Sequence, residues 1–430
     1  MTNQNVPTIL IGSGATIELG APSTNQITKD IIKPNTFQNY ANKNYLSADK
    51  KSYFTAVLKV YERLKVSYPE EPNFEHIFHI LEMLYSYDTV WIGNCKNPDI
   101  FPLFSPFVVP QTGIIEHNEW QWLFSLISQC QLHIMQMVNK YDENYKNKKD
   151  SDYVWYKDFW QKFNGFNLFN LNYDTTIENS IGTFNDGFVD SGDNKFQKFN
   201  PNKLYEDDKP HKICHLHGCI LFYNQRYENI NHDVYEYGNY DMYKWQTFKE
   251  VESMMNGSGG SNQHTQSGET IYIGPIITGL RKTDKLTAAP YNYYHHFLND
   301  SILKNKSLLI VGYSFGDLYI NDLIERMNLL YGQEKRIVVI TKLKYDTEQD
   351  CDEATYRTFS DLDATMNNVR DLLFVKKMMH DDNFEFSHLD NTITKENPYE
   401  SKDKTVQLYV YGFKSAVEKH SDRIINFLKS

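Results

Sequence analysis

The sequence predicts an α/β fold, a mostly parallel sheet with helices on both faces plus a large helical insertion. Three observations carry this. Four short apolar runs end in glycine or polar residues for which a buried strand has no use: TILIGSGAT (8–16), FNLFNLNYD (166–174), KICHLHG (212–218) and SLLIVGYSFGD (307–317). Two more runs, TIYIGPII (270–277) and RIVVI (336–340), add strand signals, and helical patterns at 291–303 and 318–330 separate the last three runs. Such alternation gives parallel strands joined by right-handed crossovers. Between the first two strands, apolar residues recur at helical rather than strand spacing. The expected architecture is therefore Rossmann-like.

Taken in order, residues 6–11 form an apolar strand, Gly12-Ser13-Gly14 breaks it, and Ala15 can open a helix. Gly20-Ala21-Pro22-Ser23 interrupts again, with Ser or Thr available to cap the next helix. Helical spacing links Tyr53, Val57, Val60, Tyr61 and Leu64, then Phe74, Ile77, Phe78, Leu81 and Leu84, then Trp120, Leu123, Phe124, Ile127, Cys130 and Ile134. The stretch 97–110 carries four prolines and reads as a loop. GSGGSNQHTQSG (257–268) is a low-complexity linker. An amphipathic helix is expected at 413–428. The predicted domains are a sheet domain from 1–36 and 166–345, a helical insertion at 37–165, and a packing or oligomerising segment at 346–430. Trp155, Tyr156 and Trp160 read as exposed aromatics, which predicts a homo-oligomer.

Composition narrows the function. The chain has 430 residues, 40% of them hydrophobic and 23% charged, enough for a substantial core. No apolar run approaches the ~20 residues of a membrane span, and the first residues lack a signal-peptide pattern, so a cytoplasmic location is expected. A net charge of −11 argues against direct nucleic-acid binding, which rests on Lys and Arg against phosphate. Cys95, Cys130, Cys214, Cys219 and Cys351 form no C-x-x-C pair, so neither a zinc ribbon nor a disulfide framework is expected.

Carboxyl ends of parallel strands form a crevice that receives ligands. Gly12, Gly14, Asn172, Asp174, His217, Ser314 and Asp317 are expected to converge there on a nucleotide. The turn Gly12, Ser13, Gly14, Ala15 and Thr16 offers backbone N–H groups to a pyrophosphate, although Ile17 stands where the dinucleotide fingerprint has its third glycine. Asn172 and Asp174, two apart on a strand, face the same way and could address a sugar and a water; alternatively Asp174 caps the next helix. His217, before Gly218, whose lack of a side chain would allow close ligand approach, is placed as a general base, worth ~10²–10⁴ in rate. His215 reads as structural. Ser314 and Asp317 could bond an adenosine ribose, with Gly312 and Gly316 allowing close approach and Asn321 one helical turn beyond; the other reading is an ordinary turn with a capped helix. His76 and His79, three apart on a helix, could serve a metal but lack an evident third ligand and read as packing residues; Arg281 and Lys282 could meet phosphate but read as a solvated loop.

Together these motifs resemble the sirtuin superfamily. GSGAT and GAPS resemble its Gly-rich loop and following G-x-P loop, placing Pro22 against the dinucleotide. NYD resembles the Asn-x-Asp signature and LHG the catalytic His-Gly. GYSFGD, including Phe315, resembles the late adenosine loop. The resemblance spans about 8–36 and 165–345. Two features depart from protein-deacylating sirtuins. No cysteines stand where a zinc ribbon would need them, and Ser23-Thr24-Asn25 replaces the acidic-Phe-Arg triplet. With Asn73-Phe74-Glu75, the set is closer to the sirtuin-like NAD hydrolases of bacterial anti-phage defence. That resemblance implies NAD as substrate with no metal, Asn172, Asp174 and His217 as catalytic residues, and nicotinamide and ADP-ribose as products. It also implies NAD depletion on infection (abortive infection) and a HerA-type ATPase or short argonaute as partner. The competing expectations are a non-catalytic nucleotide-sensing subunit and a protein deacylase or ADP-ribosyltransferase.

Overall fold

The computed structural model describes residues 6–33, 51–68, 71–86, 120–147, 153–192, 195–224, 241–255, 263–264, 270–342, 398–401 and 403–430. The expected proline-rich loop and the linker fall outside or mostly outside them. The elements run β1 (Thr8–Ile11), α1 (Gly14–Ile17), α2 (Thr24–Ile31), α3 (Lys51–Ser67), α4 (Phe74–Ser86), α5 (Trp120–Asn147), α6 (Val154–Gln161), β2 (Phe166–Asn170), α7 (Thr176–Ile181), β3 (Phe188–Asp190), β4 (Phe196–Phe199), α8 (Pro201–Tyr205), β5 (His211–His215), β6 (Phe222–Tyr223), β7 (Tyr243–Trp245), α9 (Phe248–Met255), β8 (Gln263–His264), β9 (Thr270–Ile271), α10 (Tyr291–Lys304), β10 (Ser307–Val311), α11 (Leu318–Tyr331), β11 (Arg336–Ile340), β12 (Tyr399–Glu400), β13 (Val406–Tyr409) and α12 (Phe413–Lys429).

Six strands form one parallel sheet in the order β13-β11-β10-β1-β2-β5, with β12 antiparallel on the β13 edge. Numbered along the chain, that order is 6-5-4-1-2-3, the doubly wound arrangement in which the order reverses between the first and fourth strands. The α/β, Rossmann-like fold expected from the sequence is the fold found. Thr8 lies opposite both Leu308 and Asn167, so β1 is central and its carboxyl end opens between two neighbours.

Alternation along the strands explains two apolar layers. Leu10, Phe169, Cys214, Ile310, Ile337 and Val339 face one core with α2, α4, α5, α10 and α11. Ile9, Ile11, Leu168, Ile213, Leu309, Val338 and Ile340 face the other, with α6 and α12. Ser23 caps α2, its Oγ accepting from Gln26 N while Gln26 Oε1 accepts from Ser23 N, as the sequence anticipates. Cys214 and Cys219 are fully buried, in keeping with small apolar residues.

Two expectations need correcting. TIYIGPII is not a strand of the main sheet. Only Thr270 and Ile271 are strand, paired with β8, and the rest crosses the end of the sheet antiparallel to the His217–Gly218 turn. Trp155, Tyr156 and Trp160 are not surface residues. Tyr156 and Trp160 are fully buried and pack edge-on or tilted against Phe413 of α12, at ring-centroid distances of 5.8 Å each. What reads as an oligomer surface is the intramolecular seat of the C-terminal helix. Of the segment beyond 345, the described residues extend the sheet with β12 and β13 and cover one face of it with α12.

Candidate active site

Four loops leave the carboxyl ends of β1, β2, β5 and β10, and glycines let the first and last touch. A Cβ on Gly12 would stand 2.7 Å from Gly312 O, and one on Gly14 2.6 Å from Gly312 Cα. Gly312 itself has φ +61, with its own Cβ position 2.2 Å from Ala15 N. Gly14 N donates to Gly312 O at 3.0 Å and Gly12 N to Val311 O at 2.9 Å. These glycines serve backbone packing between the two loops at the switch point, a reason that local sequence does not disclose. Ala15 and Thr16 are buried beneath the turn, while Ser13 stays exposed and Pro22 half-buried on the next loop.

β2 stops at Asn170, so the alternation expected to carry Asn172 and Asp174 to one side does not apply. Asn172 turns toward the Gly-rich loop, its Nδ2 donating to Gly12 O at 3.0 Å and lying 3.5 Å from Thr16 Oγ1. Its Oδ1 is left to accept. Asp174 turns inward: its Oδ1 accepts from Thr176 N at 3.1 Å at the start of α7, the capping role named as the alternative. Nearby Asp142 of α5 accepts from Thr175 N and Oγ1 at 2.9 and 2.6 Å. Burial pushes both carboxyls up, Asp142 to about 7 with the Asp174 charge adding to the effect. Asp174 therefore belongs to a buried acidic support beneath the site rather than to a sugar-facing surface.

The two histidines of HLHG are in opposite charge states. His215 Nε2 donates to Glu178 Oε1 at 2.5 Å and Nδ1 to Asn172 O at 3.2 Å. Both partners only accept, so both nitrogens carry protons and the ring is a buried cation. Burial opposes that charge, but Glu178 outweighs it and holds the His215 pKa up, while Glu178 is held down in turn. His215 is structural, as expected. His217 Nε2 stands 3.3 Å from Asp317 Oδ2. Burial, followed by the Lys282 cation, lowers His217 to about 4 against the opposing pull of Asp317. Its ring is neutral near pH 7. Because the carboxylate can only accept, Nε2 carries the single proton and Nδ1 is the basic nitrogen.

Gly218 has φ +90, and a Cβ there would stand 2.1 Å from Pro275 O. Its glycine identity answers the crossing segment 272–277, which receives Cys219 N at Pro275 O (3.2 Å) and gives Ile277 N to His217 O (2.7 Å). The expected reason, close approach of a ligand, is not the one the geometry supplies.

On the last loop, Ser314 and Gly316 form an exposed tip. Phe315 is buried with φ +55, a strained position for a bulky residue, and its ring lies 4.9 Å from Tyr313. Asn321 fixes this shape by donating Nδ2 to Phe315 O at 2.7 Å, and its Oδ1 lies 2.9 Å from Tyr313 Oη. Asn321 thus holds the loop rather than offering its amide to a ligand. Asp317 is committed too: Oδ1 accepts from Tyr319 N and Ile320 N at 3.0 and 3.4 Å, and Oδ2 faces His217. Although burial opposes its charge, His217, Lys282 and the Ile320 N–H keep this carboxyl below its ordinary range. The expected ribose ligand is the partner of the histidine.

Lys282, weighed from the sequence as a phosphate contact and read as a solvated loop residue, stands instead beside the histidine–aspartate pair. It is partly buried, pairs with Glu75 Oε1 at 3.4 Å, and bears electrostatically on both His217 and Asp317. Glu75, within the Asn73-Phe74-Glu75 motif, also accepts from Gly279 N at 2.6 Å, so α4 holds this loop beside the site. His76 Nδ1 accepts from Asn73 N at 3.1 Å, in line with its packing role. Among the described residues no group of three His, Cys, Asp or Glu side chains could hold a metal, and no helix is long and apolar enough to cross a membrane. An open groove of about 860 Å³ lies between α1, α6 and α12, and neither Asn172, His217 nor Asp317 lines it.

A comparison with curated proteins gives no match. Residues 167–359 match the family model of the SIR2-like domain. The match takes in Asn172, Asp174, His217, Ser314 and Asp317 and leaves out β1, which nevertheless lies at the centre of the same sheet. The segment carrying the histidine–aspartate pair is therefore sirtuin-like, which fits an NAD-dependent enzyme family.

Proposed function

We propose that this protein cleaves the nicotinamide–ribose bond of NAD, giving nicotinamide and ADP-ribose. The observation that carries the reading is a buried, neutral His217, oriented by Asp317, at the strand ends beside the switch point of the sheet. NAD is taken as substrate, its adenosine end toward the exposed Ser314–Gly316 tip and its phosphates toward Ser13 and the turn before α1. As the N1–C1′ bond breaks, its electron pair leaves with nicotinamide and C1′ gains oxocarbenium character. Asn172 Oδ1 orients the attacking water. His217 Nδ1 takes the proton that water loses, directly or through a ribose hydroxyl, and later gives it to solvent. Asp317 keeps the proton on Nε2 and so keeps Nδ1 basic. Asp174 and Asp142 support the β2 end from below.

The resemblance to defence-associated NAD hydrolases extends the proposal to its setting. Activity is switched on by infection, through self-assembly or through a partner such as a HerA-type ATPase or a short argonaute, and NAD loss halts the cell.

The test is NAD consumption with nicotinamide release, at several protein concentrations and with the neighbouring gene product added. His217→Ala and Asn172→Ala should each lower turnover by ~10²–10⁴ without unfolding the chain. Near-normal turnover in either variant overturns the assignment. NAD binding with no cleavage under any condition would instead indicate a nucleotide-sensing subunit.

A further inference from the structure

His295 has no part in the reaction just described, yet its burial asks for a reason. It stands on α10, 6% exposed, and neither ring nitrogen makes a hydrogen bond. Leaving a buried polar group unpaired is costly, and phenylalanine would avoid that cost at this position.

Its surroundings give the reason. From α11, the Tyr319 ring lies 5.6 Å away, and the Tyr319 N–H is the one Asp317 Oδ1 accepts at 3.0 Å. Burial lowers the ring's pKa; Asp317 and, from the other side, the Leu216 carbonyl between the two histidines of HLHG oppose that, the carbonyl while falling short of a hydrogen bond of ordinary geometry. The ring thus adjoins both halves of the His217–Asp317 pair, the turn behind one and the helix start behind the other. The titratable groups bearing on it are Asp317 from α11, His217 from the turn and His296 on its own helix, while Lys282 acts on His217 and Asp317 from the loop beyond.

We propose that His295 is a positioning residue: its ring, between the Leu216–His217 turn and the first turn of α11, sets the separation and the proton distribution of the His217–Asp317 pair. The proposal rests on reading that pair as the proton-transfer unit. The 3.3 Å contact between them is long for an imidazole–carboxylate bond, which ordinarily closes to about 2.7–2.9 Å in charge-assisted form. That separation depends on where the turn and the helix start sit, and the His295 ring lies between the two. Burial lowers His295 to about 4, the same range as His217, so the two imidazoles compete for a proton only in acid, where a charge on one repels a charge on the other.

The experiment uses the full chain with His295→Phe, which keeps the ring on Tyr319 but removes its nitrogens, and His295→Gln, which keeps an N–H donor but cannot become charged. Two readouts are taken. One is the NMR titration of the His217 imidazole, assigned by its loss in His217→Ala; the other is kcat and KM for NAD across pH. His295→Phe should lower kcat roughly tenfold with KM little changed. The His217 midpoint should rise in both variants, and His295→Gln should recover part of kcat. The inference is overturned if folded variants keep the wild-type His217 midpoint and kcat. If the wild type cleaves no NAD, the functional reading fails on its own, and the His217 midpoint still decides on His295. If His295→Phe does not fold, His295→Gln carries the same test.

Discussion

Gly218→Ala isolates the contact that fixes His217 in place. The residue sits at φ +90, where an L side chain is strained by ~1–2 kcal/mol. Its new Cβ would also meet Pro275 O at 2.1 Å, backbone that has no flexible end to swing away. Restoring ordinary contact means moving the 272–277 segment by roughly 1 Å, which strains two hydrogen bonds, Cys219 N to Pro275 O and Ile277 N to His217 O, each worth about 1 kcal/mol net. The expected loss is about 3–4 kcal/mol, read as a lowered denaturation midpoint by urea unfolding. Two controls separate the contributions. Gly192→Ala, at φ +86 with nothing within 4 Å of its Cβ, isolates the backbone cost. Gly316→Ala, whose Cβ meets only Ser314 Oγ at 3.7 Å, should change stability by no more than about 0.5 kcal/mol. If Gly218→Ala costs no more than Gly192→Ala, the crossing segment does not brace the histidine turn and the reasoning fails.

The geometry sets three further outcomes. Glu178 is held below its ordinary 4.5 and His215 above its ordinary 6.5. The Glu178 contribution is thus complete above about pH 4.5 and lost as pH falls through its native value, whereas the His215 contribution is complete below about pH 6.5 and lost as pH rises through its own. The stability gap between wild type and Glu178→Gln should reach about 3–5 kcal/mol and be widest between those limits, and a gap independent of pH would contradict the ion pair. Lys282→Met removes a cation that opposes protonation of His217, so the acid limb of NAD cleavage should move to higher pH, while Lys282→Arg should leave it in place; an unmoved limb in the methionine variant rejects the electrostatic link. Trp160→Ala should destabilise the chain by about 3–5 kcal/mol without altering its mass in solution, because the ring is a core residue under α12; a dissociated oligomer would restore the surface reading.

Much of this architecture can be read from local pattern. β1, β2, β10 and β11 fall within the apolar runs, β5 all but its first residue, and the Ser23 cap arises from residue types three apart. The misreadings share one cause. An apolar run states that a segment is buried, not what buries it, so 272–277 passes for a strand and Trp155, Tyr156 and Trp160 for an interface. The glycines mislead in the same way, since the lack of a Cβ marks a close approach without naming the approaching group. The site is least legible where its parts come from far apart. His217 meets Asp317 100 residues on, Thr175 meets Asp142 33 residues back, and Gly279 meets Glu75 204 residues back. No spacing rule reaches across such intervals, which is why Asp142 and His295 carry no signal of their own and Lys282 only that of a basic loop.

The central position of β1 sets a clock on biogenesis. Its two neighbours are Phe166–Asn170 and Ser307–Val311, and the sixth parallel strand is Val406–Tyr409. At ~5–20 residues per second, a ribosome needs roughly 15–60 s between making Thr8–Ile11 and making the strand that pairs its second edge. Until then β1 lacks the partner for its second edge, and α6 lacks the helix that covers its aromatic rings until Phe413–Lys429 follows later in the chain. Translation pauses, holding chaperones and C-terminal truncation should therefore affect the yield of this protein far more than substitutions on its finished surface.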